Sequence, residues 1–215
     1  MKITFLDAST VDAGDINLDC IREHGDLIIH STTSNNETLK RVIDSEIIIT
    51  NKVIIDKPII EASKKLKLIV VSATGYNNID VDAAKANNVT VCNVVDYSTP
   101  IVAQHTISLI LNLCGQTYKY LNEKSLWPSS PIFTRLDHRV TEISGKTLGI
   151  VGVGNIGSKV GEIAESMGMK IQVLARKDSK SLIHQEWPRL EYASFFENSD
   201  IITLHCPLTD SNKHL

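Results

Sequence analysis

The sequence predicts an α/β chain of two doubly wound, parallel-sheet domains, residues 1–97 and 98–215, the second of them incomplete. Three observations predict it. Short Ile- and Val-rich runs alternate with helical patterns from the first residue onward; the alternation gives way to a long helix after Pro100 and a proline-bearing stretch; and it restarts at Gly145. Strands separated by helices pair in parallel, because a parallel neighbour can be reached only through a long crossover.

The elements follow in order. Ile3–Leu6, Leu27–His30, Glu46–Thr50, Leu68–Ser72 and Val89–Asn93 are expected strands, and Asn17–His24, Glu37–Asp44, Lys57–Lys64 and Val81–Asn87 the helices between them. Asp56 is placed to cap a helix whose first turn holds Pro58, and Asp80 to cap the next. Tyr97-Ser98-Thr99-Pro100 is a turn and helix start, opening one long helix over Ile101–Leu121. Val102, Thr106, Leu109 and Leu113 share a face of it, with Ile110 beside them. Trp127-Pro128-Ser129-Ser130-Pro131 is a surface excursion. Beyond Gly145, Thr147–Val151, Lys170–Ala175 and Ile201–His205 are strands, and Ile156–Met167 and Phe195–Asn198 helices.

Composition excludes several classes. Lys and Arg number 22 against 25 Asp and Glu, a formal charge of -3, so the clustered cations that neutralise phosphates in nucleic-acid binding are absent. The longest apolar run, Ile107–Cys114, is interrupted by Ser108 and Asn112 and falls short of the roughly 18 residues that span a bilayer. Met1–Asp7 enters a strand pattern with no charged leader, so no signal peptide is expected. Cys20, Cys92, Cys114 and Cys206 are scattered without a C-x-x-C pair, as in a cytoplasmic protein with reduced thiols and no metal site.

The strongest chemical signal is Gly152-Val153-Gly154-Asn155-Ile156-Gly157, which follows a strand and opens a helix. In that context Gly152 permits the tight turn, Gly154 lets a pyrophosphate approach bare backbone, and Gly157 allows close helix–strand packing. The helix N-terminus adds N–H donors and a positive dipole. The plain alternative is a glycine-rich turn with no ligand. The next strand ends in Ala175-Arg176-Lys177 rather than in a carboxylate, so Arg176 can grip a ribose 2′-phosphate and NADP is favoured over NAD. In the competing reading Asp178 takes the acidic role and Arg176 is solvated.

Ile143–Gly157 followed by Gly168-Met169-Lys170 resembles the cofactor domain of the D-isomer-specific 2-hydroxyacid dehydrogenases. Ala73-Thr74-Gly75-Tyr76-Asn77-Asn78-Ile79-Asp80 is similar to that family's substrate loop, His205-Cys206-Pro207-Leu208-Thr209 to its H-x-P-L-T segment, and Val102-Ala103-Gln104-His105-Thr106 to its interdomain helix. The wording is most like the glycerate dehydrogenase (hydroxypyruvate reductase) branch. The resemblance implies a flavodoxin-like substrate domain plus a Rossmann NAD(P)-binding domain. It also implies hydride transfer between NAD(P)H and a small 2-oxo or D-2-hydroxy acid such as hydroxypyruvate, glycerate or glyoxylate.

It further implies that Asn155 and Ile156 meet the pyrophosphate, Cys206 and Pro207 lie beside the adenosine, and Thr74 contacts the cofactor. Substrate binding falls to Lys52, Thr74 and Gly75, Gly75 allowing a carboxylate close to the loop amides. For Lys52 a solvated surface lysine, and for Cys206 simple packing at a strand end, are the rival readings. The family's catalytic Arg and His–Glu pair lie beyond the H-x-P-L-T segment, and this sequence ends at Leu215, so no catalytic residue is assigned and an incomplete form is expected. His105 reads as a packed or interdomain residue; His24, His30, His138, His184 and His214 show no suitably spaced carboxylate for acid–base work. A non-catalytic dinucleotide-binding module or a pseudoenzyme is the alternative. A homodimer is expected through the cofactor domain, with Leu126–Phe133 either an arm onto the partner or a loop folded back. A hinge is expected near Asn93–Pro100.

Overall fold

The first strand, β1 (Lys2–Phe5), is followed by α1 (Asp19–Arg22), β2 (Asp26–Ile29), α2 (Asn35–Val42), β3 (Ile47–Thr50), α3 (Lys57–Ala62), β4 (Leu68–Val71), α4 (Val81–Ala86) and β5 (Thr90–Asn93). The computed structural model describes residues 1–175, 183–209 and 212–213. It divides the chain into two units, Met1–Tyr97 and Ser98–Leu215.

The first unit holds a five-stranded parallel sheet in the order β2-β1-β3-β4-β5. Both faces of its inner strands are buried, which is why they are written as unbroken Ile and Val runs instead of alternating with polar residues. Leu6, Ile48, Ile69 and Val71 join Val42, Ile60 and Ala84 of the helices in one core cluster. Ile3, Phe5, Leu27 and Ile49 form the other, with Leu18 and Ile21 against them. The caps act as the sequence predicts: the Asp56 carboxylate accepts from the amide of Ile59, and that of Asp80 from Ala83.

The second unit begins with α5 (Thr99–Gly115) and α6 (Thr117–Asn122), then a 3-10 turn at Lys124–Ser129. It continues with β6 (Thr147–Val151), α7 (Asn155–Ser166), β7 (Lys170–Leu174), β8 (Arg189–Leu190), α8 (Tyr192–Glu197) and β9 (Ile201–Leu204). Its sheet is parallel, in the order β8-β7-β6-β9. Leu148, Ile150, Ile171 and Val173 of the strands pack against Ala103 and Ile110 of α5 and Val160 and Ala164 of α7.

Two expectations about the long helix are corrected. It is broken at Gln116, whose backbone is left-handed (φ +53°). Side-chain amides serve the break: Gln116 donates to the carbonyl of Leu113, and Asn112 accepts from the amide of Tyr118 at 3.2 Å. The buried face is also a different one. Ala103 and Ile110 are buried, with Ile107 and Cys114 packed beside them, whereas Leu109 and Leu113 are exposed. Apolar residues occur all round this helix, so periodicity alone does not select a side, and small Ala103 is what the close approach to the core admits. No helix among the described residues is long and apolar enough to cross a membrane.

Candidate functional site

The glycine turn of the second unit is built by three different constraints. Gly152 has φ +97°, and a Cβ there would lie 2.9 Å from the amide nitrogen of Cys206 and the carbonyl of His205. A Cβ on Gly157 would come within 2.1 Å of the carbonyl oxygen of Gly152. Neither position admits a side chain. Gly154, the N-cap of α7, has ordinary extended backbone, and its Cβ position meets nothing within 4 Å. Bare main chain therefore faces open space where α7 begins, and the helix directs its amides and positive end there. Asn155 opens the helix, while Ile156 packs part-buried on the core.

β9 forms the floor of the turn. The amide of His205 donates to the carbonyl of Val151 at 2.8 Å, carrying the β6–β9 ladder one residue beyond β9. Asn212 then clips the following bend: its Nδ2 donates to the carbonyl of Pro207 at 2.7 Å and to Cys206 Sγ at 3.7 Å, and its Oδ1 accepts from the amide of Thr209 at 2.7 Å. Burial pushes the pKa of His205 below the usual imidazole value, and its Nε2 has no hydrogen-bond partner among the described residues. Arg176, with Lys177 and Asp178, lies outside the described residues.

In the first unit the carboxyl ends of β1, β3, β4 and β5 share one edge of the sheet. Asp7, buried just beyond β1, accepts from the amides of Asn51 (2.9 and 3.1 Å) and Lys52 (2.6 Å), which fixes the bend after β3. The Lys52 side chain is exposed. Beyond β4, Ala73 is buried and Thr74, Gly75 and Tyr76 are exposed. Asn93 Nδ2 donates to the Thr74 carbonyl at 2.7 Å, and Asn78 Nδ2 to that of Val53 at 2.9 Å, tying the loop to both neighbouring strands. A cavity of about 280 Å³ opens there between Tyr76, Val81, Val91 and Asn93. Gly75 is not demanded by packing, since a Cβ would make only an ordinary 3.5 Å contact with Asn77.

Lys52, Thr74 and Gly75 thus sit at adjacent strand ends of one unit, and Gly152, Gly154, Asn155, Ile156, Gly157, Cys206 and Pro207 around one turn of the other. Sequence reasoning missed Asp7, Asn51, Asn93 and Asn212. For Asp7, Asn51 and Asn93 the available signal was an Asp or Asn at or just past a strand end, where loose backbone amides and carbonyls need side-chain partners; Asn212, eight residues beyond β9, gave none.

The histidines need correction. His105 lies on the exposed side of α5, which corrects the packed one of its two expected placements. Carboxylates do reach two others: Glu123 Oε2 is 3.0 Å from Nε2 of His138, and Glu186 Oε1 is 2.9 Å from Nδ1 of His184. The first pair belongs to a bend held by Arg135, whose nearly buried side chain bonds Asp137 at 2.7 Å and Glu123 at 3.1 Å. A cavity of about 370 Å³ beside it, between Tyr120, Trp127, Leu136 and His138, contains none of the expected site residues. No cluster of potential metal ligands occurs among the described residues.

Comparison with known proteins adds to this geometry. The sequence profile described as D-isomer specific 2-hydroxyacid dehydrogenase, catalytic domain, matches residues 7–203. A hydroxypyruvate reductase of Blautia hydrogenotrophica is 32% identical over 213 residues, covering 97% of this chain and 66% of that protein. A glycerate dehydrogenase of Methylorubrum extorquens is 32% identical over 216 residues, covering 100% and 66%. Among solved structures, an acyclic imino acid reductase in complex with NADPH and D-Arg superposes with a TM-score of 0.81 at 28% identity, over 98% of this chain and 67% of that one. The chain spans about two thirds of the length of the relatives it matches.

Proposed function

Because this chain belongs to the D-isomer specific 2-hydroxyacid dehydrogenase family, we propose that it provides the cofactor- and substrate-binding surfaces of an oxidoreductase. The reaction is hydride transfer between NAD(P)H and a small 2-oxo or D-2-hydroxy acid of the hydroxypyruvate, glycerate or glyoxylate kind. The contrast among three glycines carries this reading. Packing alone accounts for Gly152 and Gly157, whose Cβ positions run into backbone, but not for Gly154, whose Cβ position is open. A bare position at a helix N-terminus facing empty space suits a diphosphate drawn against main chain.

When bound, the nicotinamide dinucleotide supplies or accepts the hydride. The chain's own residues bind and orient. Gly152, Gly154, Asn155, Ile156 and Gly157 present backbone to the pyrophosphate, and Cys206 and Pro207, fixed by Asn212, flank the adenosine. Arg176 meets a ribose 2′-phosphate, which favours NADP. In the first unit Lys52 attracts the carboxylate of the 2-oxo acid, and the exposed amides around Thr74 and Gly75 receive it, held in place by the Asn78 and Asn93 side chains. Exposed Leu126, Trp127, Ile132 and Phe133 support pairing of the second unit with a second copy.

The test is an assay of the full-length protein with hydroxypyruvate, glyoxylate and pyruvate, each with NADH and NADPH, alongside direct titration with both dinucleotides. Saturable dinucleotide binding and turnover of hydroxypyruvate or glyoxylate are expected. Absence of dinucleotide binding overturns the proposal.

A further inference from the structure

We propose that His184 and Trp187 form a proton-operated latch that holds β8 against α7. Trp187 is buried, and its indole lies so close over α7 that a Cβ on Gly161 would come within 2.3 Å of Cη2 and 2.8 Å of Cζ3. The imidazole of His184 stacks on this indole, with ring centroids 3.8 Å apart and planes 8° from parallel. Both imidazole nitrogens face carboxylates: Nδ1 is 2.9 Å from Glu186 Oε1, and Nε2 is 3.6 Å from Glu162 Oε1 on α7. The other charged groups facing this cluster among the described residues are Lys159, 3.0 Å from Glu162, and Arg189. Arg189 donates to the carbonyls of Ile183, His184 and Trp187, pinning the segment in which His184 adopts φ +49°.

The chemistry of the ring makes this arrangement depend on a proton. A neutral imidazole has one N–H, so it can serve one carboxylate while its other nitrogen turns a lone pair toward the second. The imidazolium donates from Nδ1 to Glu186, turns a second N–H toward Glu162 at ion-pair distance, and places a cation on the indole face. Glu186 already shows the pairing, its carboxyl being held below the usual range first by its own amide and then by His184. Trp187 Nε1 itself is buried without a partner among the described residues, so the stack carries the segment without help from an indole hydrogen bond. The latch bears on the sheet directly. β8 is held to β7 by Val173 donating to Pro188 and Ala175 to Leu190, both at 2.8 Å, so the bolt sits beside the carboxyl end of β7.

This inference needs no dinucleotide for its test and stands or falls apart from the proposed activity. The chain has two tryptophans, so Trp127→Phe leaves Trp187 as the sole indole. Its emission is followed from about pH 8 to about pH 5.5, the range in which imidazoles titrate. A single quenching transition is expected on acidification, as the stacked ring gains charge, together with reduced quenching by acrylamide. In the Trp127→Phe background His184→Gln abolishes the transition, whereas Glu191→Gln, at an exposed carboxylate outside the cluster, leaves it in place. A flat emission profile, or a transition that survives His184→Gln, overturns the latch.

Discussion

Gly157 stands against Gly152 so closely that one added methyl would press to within 2.1 Å of the carbonyl oxygen of Gly152. The start of α7 is therefore set by contact between two backbones, and the open position between them, Gly154, is free of that constraint. Gly157→Ala is expected to destabilise the protein by about 1–3 kcal/mol through overpacking, although alanine is the better helix former. Gly154→Asn keeps a residue able to cap α7 and leaves the urea midpoint nearly unchanged, but places a side chain where the diphosphate would lie. Its expected effect is a loss of dinucleotide affinity of about tenfold or more, about 1.4 kcal/mol, by equilibrium titration. Equal affinity in that variant would remove the proposed cofactor site.

Arg176 is the proposed discriminator between the two nicotinamide dinucleotides. Arg176→Asp exchanges a bidentate phosphate donor for a ribose hydroxyl acceptor. The ratio of NADPH to NADH affinity should fall by an order of magnitude or more. A ratio that stays constant would show that selection lies elsewhere.

Burial depresses the pKa of His205, so the unfolded chain takes up its proton first. The associated stability is complete above the unfolded value near 6.5 and is lost as pH falls below it toward the folded value. His30 shifts in the same direction, from burial first and then the charge of Arg41. Acidification from about pH 7.5 to about pH 5.5 is therefore expected to lower the melting temperature. His205→Gln removes part of that slope. A melting temperature whose pH dependence is identical in the variant would contradict the assignment.

Arg135 and Phe133 separate the integrity of the proline-bearing arm from its contacts. Arg135 is held by Glu123 and Asp137, while Phe133 is 96% exposed. Arg135→Ala removes the guanidinium shared by Glu123 and Asp137, leaving Glu123 with His138 alone, and should speed proteolytic cutting between residues 123 and 138 severalfold. Phe133→Asp should leave that cutting unchanged and weaken self-association in analytical ultracentrifugation. If association is insensitive to Phe133→Asp, the arm does not carry the pairing.

The parts of this molecule legible in the sequence are those that local chemistry dictates. Asp56 with Pro58, and Asp80, announce their helices because a cap needs only its own first turn. The turn of Gly152, Gly154 and Gly157 is legible because strand, loop and helix adjoin in sequence. Gln116 was not, since its left-handed backbone is supported by amide side chains of a kind that also occur inside helices. β8 is a two-residue strand fixed by pairing with β7, and a two-residue run carries no period to read. The Asp7 carboxylate serves amides 44 and 45 residues away, a partnership that only the folded sheet creates.

The floor beneath Gly152 comes from residues 205 and 206, about fifty positions later in the chain. During vectorial synthesis, β6 and α7 can thus emerge and associate while the turn between them still lacks its underside. The glycine loop reaches its final shape only when β9 docks as the neighbour of β6. The proposed cofactor surface is thus completed by a non-local pairing and not by the local strand–turn–helix unit alone.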